Sequence, residues 1–236
     1  MSKLLRVSFV VEGPTDYVVL RAAVRALLGG ADFEPVPLKP ELDESLRTKS
    51  ASGWGGVYFW CRQTVEQAGG PASENPLFGS DDALVIIQVD ADIARRSYAD
   101  YEIKNAPNDD LPCEMACPPA RATTDALRAV ILGWLNETEV PPHVVLCTPS
   151  KNVETWLLVG LFPTNEQAAK PNIECRWGLD VQLRKYGLIQ GTQKLIDEYR
   201  ANEGGIRNAW PEIRAKCSEG ERFSQEFLAL IPAKQP

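Results

Sequence analysis

Two apolar runs in this chain each end on an acid, and they constrain its fold more than any other feature. LLRVSFVV at 4–11 runs into Glu12-Gly13-Pro14, and ALVIIQV at 83–89 runs into Asp90-Ala91-Asp92. A mostly apolar run of this length, rich in β-branched residues, reads as a buried strand. Turn chemistry follows the first run at once. Thr15 can then start a helix in which Val19, Leu20, Ala23, Val24, Leu27 and Leu28 recur at helical spacing until Gly29-Gly30.

The same alternation continues downstream. Thr123 or Thr124 starts a helix carrying Leu127, Val130, Ile131, Trp134 and Leu135, HVVLC at 143–147 reads as a third strand, and TPSKNVETWLLVGLF as a loop and short helix. Strands alternating with helices predict an α/β domain with a mainly parallel sheet and helices on both faces. Residues 33–57 are rich in Pro and Ser, and VYFWCRQTVEQA after them reads as a helix beginning near Gly53-Trp54-Gly55-Gly56. The stretch 93–120 reads as a long irregular connection, a kind of segment that is often functional. From residue 172 the chain reads as helical with Gly-containing turns. The expected organisation is an α/β domain over 1–170 and a helical C-terminal appendage over 171–236 packed on it.

Composition narrows the chemistry. The start MSKLLRVSFVVEGPTD reads as a strand rather than a signal peptide, and no apolar run reaches the length of about eighteen residues that a membrane span needs. A cytoplasmic protein with reduced thiols and no membrane partner is expected, since none of the six cysteines forms a C-x-x-C pair. Cys113 and Cys117 lie four apart, but His143 is the only histidine, so a zinc site would need distant cysteines. That single histidine also argues against Ser-His or Cys-His nucleophilic catalysis. Chemistry must then rest on carboxylates and lysine. No GxxxxGK[ST] phosphate loop occurs. The net charge of −7 opposes broad nucleic-acid binding, yet it is uneven: residues 176–236 carry 10 Lys+Arg and 8 Asp+Glu.

In an open parallel sheet the binding crevice lies beyond the carboxyl ends of the strands. Glu12 ends the first strand, Asp90 and Asp92 end the second, and Lys151 with Glu154 follow the third. Neighbouring strands lie ~4.8 Å apart, so these carboxylates would crowd one cleft, and Mg²⁺ or Mn²⁺ would relieve the repulsion. Each residue also has a plain structural reading. Glu12 can simply end a strand, Asp90 and Asp92 can make local turn hydrogen bonds, and Asp16, Lys151 and Glu154 can be helix-start residues.

Val10-Val11-Glu12-Gly13-Pro14-Thr15-Asp16, followed much later by Val89-Asp90-Ala91-Asp92, resembles the Toprim domain. Lys151-Asn152-Val153-Glu154-Thr155-Trp156-Leu157-Leu158 and the stretch from Cys217 to Phe227 look like the compact stand-alone Toprim-like proteins of bacteria, similar to nucleases of the overcoming-lysogenisation-defect type. The resemblance spans about residues 4–160. It implies a Toprim-like Rossmannoid fold and a Mg²⁺-dependent nuclease acting on DNA or RNA, with a phage-defence role and an ABC-type ATPase as the partner supplying nucleic-acid affinity. It further implies Glu12 as general acid/base, Asp90 and Asp92 as metal ligands, and Asp16 and Glu154 as holders of a second ion. Lys151, leaving the third strand at the same end, is the expected cation for the transferred phosphoryl group. The interval 29–83 is long for the family, and no tyrosine fits a topoisomerase nucleophile. Two other functions share these residues: a haloacid-dehalogenase-like phosphatase with Asp90 as nucleophile and Asp92 as acid, and a non-catalytic Toprim-like metal-binding scaffold.

Overall fold

The two acid-terminated runs form the central pair of a parallel sheet. The structure is a computed structural model that describes residues 4–39, 53–79, 83–101, 103, 106–107, 110–191 and 193–231. Its main sheet contains β1 (Arg6–Val10), β2 (Glu34–Lys39), β3 (Ala83–Gln88) and β4 (Val144–Cys147) in the order β2-β1-β3-β4, all parallel. Helices α1 (Pro14–Leu27), α2 (Gly53–Ala68), α3 (Ala120–Trp134) and α4 (Glu154–Leu161) fill the crossovers and the exit from β4.

Successive strand residues point to opposite faces, and each face has its own core. Val7, Phe9, Leu84, Ile86, Val145 and Cys147 face α1 and α4. Val10, Val85, Ile87, Val144 and Leu146 face α2 and α3. Burial on both sides is why β3 and β4 are almost wholly apolar, and it buries Ser8 on β1 as well. The chain moves outward from β1 to β2, then returns past β1 to β3. The order therefore reverses between β1 and β3, the position where open α/β sheets form a crevice.

The Pro-rich stretch after residue 33 contains a strand that the sequence reading missed. β2 is the edge of the sheet, half-buried, with Pro35 and Pro37 at alternating positions. Proline removes a ladder donor, and an edge strand tolerates that on its unpaired side. The rest of that stretch, 40–52, lies outside the described residues.

Beyond residue 172 the helical reading holds from Ile196 to Ala229, and before that only in short pieces. A short α5 (Asp180–Leu183) leads to a hairpin of β5 (Ile189–Gln190) and β6 (Gln193–Lys194), then α6 (Ile196–Ala201), α7 (Glu203–Lys216) and α8 (Ser218–Ala229). Trp210, Ile213, Phe223 and Phe227 complete the core over α1 and α4. The hairpin was missed because each strand has two residues, too few for a periodic signal.

Candidate functional site at the ends of β1 and β3

Gln88, the one polar residue inside the β3 run, ties the two central strands together where they end. It is fully buried. Its side-chain oxygen accepts from the Glu12 N–H at 3.1 Å, and its amide nitrogen donates to Asp90 Oδ1 at 2.8 Å. Glu12 Oε1 in turn accepts from the Asp90 N–H at 2.7 Å. The acid of β1 is thus locked against the turn that carries both aspartates. That turn is a 3₁₀ stretch, Ala91–Arg95, in which the Asp92 N–H donates to the Lys151 carbonyl at 3.0 Å.

Asp16 reaches the same place from α1. Gly13 is the N-cap of that helix, and the Asp16 carboxylate reaches back to its N–H, half of a capping box. Asp16 Oδ2 lies 3.1 Å from where a Cβ on Gly13 would sit, so the capping contact leaves little room for a side chain. The other oxygen, Oδ1, is buried without a hydrogen-bond partner.

Glu154 opens α4 and is fully buried. Its Oε1 accepts from the Tyr199 hydroxyl at 3.0 Å and lies 2.7 Å from Lys194 Nζ, while Oε2 has no hydrogen-bond partner. Lys194 also lies 3.9 Å from Asp16 Oδ1. This lysine sits on β6, far along the chain from the acids, and the sequence reading did not select it.

Glu12, Asp16, Asp90, Asp92 and Lys194 line one cavity of about 380 Å³. A second of about 400 Å³ shares Glu12 and Asp92 and continues toward Arg96 and Tyr101. Its wall depends on a close approach: a Cβ at Gly55 would fall 2.3 Å from the Tyr101 ring. Trp54 stacks edge-on against that ring at 4.8 Å.

Crowding shows in the proton affinities. Burial, then Asp92 and Asp16, push the Glu12 carboxyl well above its usual range. Asp90, 6% exposed, moves the same way through burial and then the charges of Asp16, Glu12 and Asp92. Burial raises Asp16 and Asp92 to about 6, opposed in both by Lys194. Lys194 is itself held protonated by Asp16, Glu154 and Asp90, which outweigh its burial.

Of the residues expected at the site, Glu12, Asp16, Asp90 and Asp92 line it and Glu154 joins through Lys194. Lys151 is held elsewhere. Its ammonium pairs with Glu114 Oε1 at 3.1 Å and lies 4.2 Å from the centre of the Trp177 ring. The cation beside the carboxylates is Lys194 instead.

The thiol expectation fails at one pair. Cys117 and Cys175 form a disulfide with Cα atoms 5.5 Å apart, joining two loops that converge beside Lys151. Their 58-residue separation hid the pairing. Cys61, Cys113, Cys147 and Cys217 are free, so Cys113 and Cys117 do not act together.

A divalent ion suits these residues in a restricted way. Four carboxylates line the cavity, and one of them, Asp16, carries a buried oxygen without a hydrogen-bond partner. Yet among the described residues no group of three His, Cys, Asp or Glu is already disposed to hold a metal ion. Mg²⁺ is commonly bound by one or two carboxylates, with waters and substrate phosphates completing its shell. Among the described residues no helix is long and apolar enough to cross a membrane. Comparisons with protein-family models, curated proteins and solved structures gave no match.

Proposed function

We propose that this protein is a Mg²⁺- or Mn²⁺-dependent phosphodiester-cleaving enzyme of the Toprim type, acting on DNA or RNA. The observation that carries the reading is the contact between Glu12 Oε1 and the Asp90 N–H. It sets the β1 acid against the Asp-x-Asp turn at the point where the strand order reverses. The motif resemblance to Toprim nucleases supplies the reaction class, and with it a role in phage defence beside an ABC-type ATPase.

Asp90 and Asp92 would hold the ion, with Asp16 contributing its free oxygen. The ion, when bound, would polarise a phosphate oxygen and favour the leaving oxyanion. Glu12 is the proton carrier. Burial and neighbouring carboxylates raise its proton affinity, the direction that lets a carboxyl carry a proton. Lys194 neutralises the buried Glu154 and supplies positive charge beside the reacting phosphoryl group. Lys194 thereby takes the role that its position after β4 suggested for Lys151.

The non-catalytic metal-binding scaffold would use the same residues, and the lack of a ready ligand set among the described carboxylates does not separate it from the enzyme. The phosphatase reading leaves Glu12, held against the Asp90 N–H, without a role.

Single-turnover cleavage of labelled DNA and RNA with Mn²⁺, alongside Mn²⁺ calorimetry, separates these readings. Glu12→Gln keeps an oxygen to accept from the Asp90 N–H but cannot shuttle a proton. It should retain metal binding and lose ~10²–10⁴-fold in rate. Wild-type cleavage by Glu12→Gln would overturn the mechanism, and metal binding without any cleavage would leave the scaffold.

A further inference from the structure

Beside the acid crevice lies a further pocket of about 390 Å³, whose lining includes Arg95, Glu114, Lys151, Trp177 and the Cys117–Cys175 disulfide. We infer that this pocket is a subsite for single-stranded nucleic acid, in which Lys151 and Arg95 hold a phosphate next to the cleaved one and Trp177 stacks on its base. The identity of the ligand rests on the phosphodiesterase reading above.

Three observations point to an anion with a flat ring attached. Lys151 is 3% exposed, and it lines this pocket with its ammonium between Glu114 and the Trp177 ring. An anion already meets this buried ammonium, Glu114 Oε1 at 3.1 Å, so a phosphate oxygen would take the place of that carboxylate. Arg95 and Lys151 are bridged by Glu114, one carboxylate oxygen to each cation. Two oxygens of a phosphate would meet the pair in the same way. The Glu114 side chain is 25% exposed, so it can swing to solvent and leave two positive charges to a ligand. Finally, Trp177 is 44% exposed although both cations lie about 4 Å from its ring centre. Both cations lie over the indole, so a base would stack on the ring surface they leave exposed, and stacking next to a phosphate contact is how single strands are bound.

The pocket is also placed to serve the crevice. Asp92 and Arg95 leave the same 3₁₀ turn, and the Lys151 carbonyl anchors Asp92 while its side chain enters the pocket. Glu114 lies three residues before Cys117 and Trp177 two after Cys175, so the disulfide holds the two walls together. Their spacing is set before any ligand arrives.

The test is fluorescence anisotropy of labelled single-stranded oligothymidylate and oligouridylate, in EDTA and low salt so that neither metal nor cleavage enters. Lys151→Ala should weaken binding several-fold and lower the salt slope by about one. Trp177→Ala should weaken it roughly tenfold, with Trp177→Phe recovering most of the loss. Glu114→Gln should tighten binding, because it removes the competing carboxylate while keeping the side chain's size. That sign discriminates, since a Glu114 that merely braces the loops would weaken binding when neutralised. Inorganic phosphate should compete with the oligonucleotide in wild type and less in Lys151→Ala. Thermal melts of each variant establish that it is folded. The inference is overturned if wild type binds neither strand, if Trp177→Ala and Lys151→Ala bind as wild type, or if Glu114→Gln binds more weakly. Cleavage that depends on Glu12 with binding indifferent to Trp177 would remove only the subsite. Binding that depends on Trp177 without metal-dependent cleavage would remove only the catalytic reading.

Discussion

The main-chain N–H of Asp92 donates to the carbonyl of Lys151 at 3.0 Å, and Lys151 makes that contact from a left-handed backbone with φ of 71°. One residue therefore does two things: its main chain steadies the Asp-x-Asp turn, and its side chain builds the neighbouring pocket. The left-handed region is unfavourable for a residue with a Cβ and tends to persist where the surroundings over-determine it.

That backbone gives a stability test independent of any activity. Both Lys151→Ala and Lys151→Gly lose the side chain's contacts with Glu114 and Trp177, but only glycine adopts φ of 71° without steric cost. Lys151→Gly should be the more stable of the two by about 1 kcal/mol in urea melts, the reverse of their usual order. Equal stability, or alanine ahead, would show that the turn does not require the left-handed conformation.

The acid cluster should make metal-free stability fall as pH rises. Glu12, Asp90, Asp16 and Asp92 all have proton affinities raised by folding. The folded state therefore binds more protons than the unfolded chain between their two ranges. Their contribution is fully present below the ordinary carboxylate range near 4 and is lost as pH climbs through about 6 and beyond. Glu114 and Glu221, whose values are lowered, contribute in the opposite sense, but only at more acidic pH. In EDTA the melting temperature should fall between about pH 5 and 7.5. Asp90→Asn keeps an oxygen for Gln88 while removing one buried charge, so it should flatten that fall and stabilise the protein at the upper end. Destabilisation by Asp90→Asn at pH 7.5 would mean that the aspartate's charge supports the fold.

Lys194 should be needed for stability near neutrality. Its ammonium lies 2.7 Å from the fully buried Glu154 and 3.9 Å from Asp16. Removing one partner of a buried pair costs ~3–5 kcal/mol, but the Lys194 side chain is 35% exposed, so screening reduces the expected loss to about 1–2 kcal/mol. Lys194→Met, which keeps the apolar stem, should show that loss at pH 7.5 and less of it at pH 5, where Asp16, raised to about 6, is mostly protonated. A loss independent of pH would assign the residue to packing of the hairpin.

What the sequence determined by itself lies where the signal is local and repeated. The runs before Glu12 and Asp90 needed no partner to be read, because burial on both faces leaves such strands mostly apolar. α1, α3 and β4 followed from spacing and turn residues, although α3 starts at Ala120 rather than at Thr123 or Thr124; a parallel sheet put the strand ends at one edge, and the order β2-β1-β3-β4 set Glu12 beside Asp90 and Asp92. Gln88 was readable in principle, as an amide inside an apolar run, but its partner on β1 lies 76 residues away. Only the tertiary structure chose Lys194 over Lys151 as the cation beside the acids, paired Cys117 with Cys175 and made the proline-bearing Glu34–Lys39 an edge strand. Those outcomes depend on which distant segments meet and on which side of a strand faces open solvent. Short-range periodicity carries no information about either, because the free energies that decide them belong to contacts between elements.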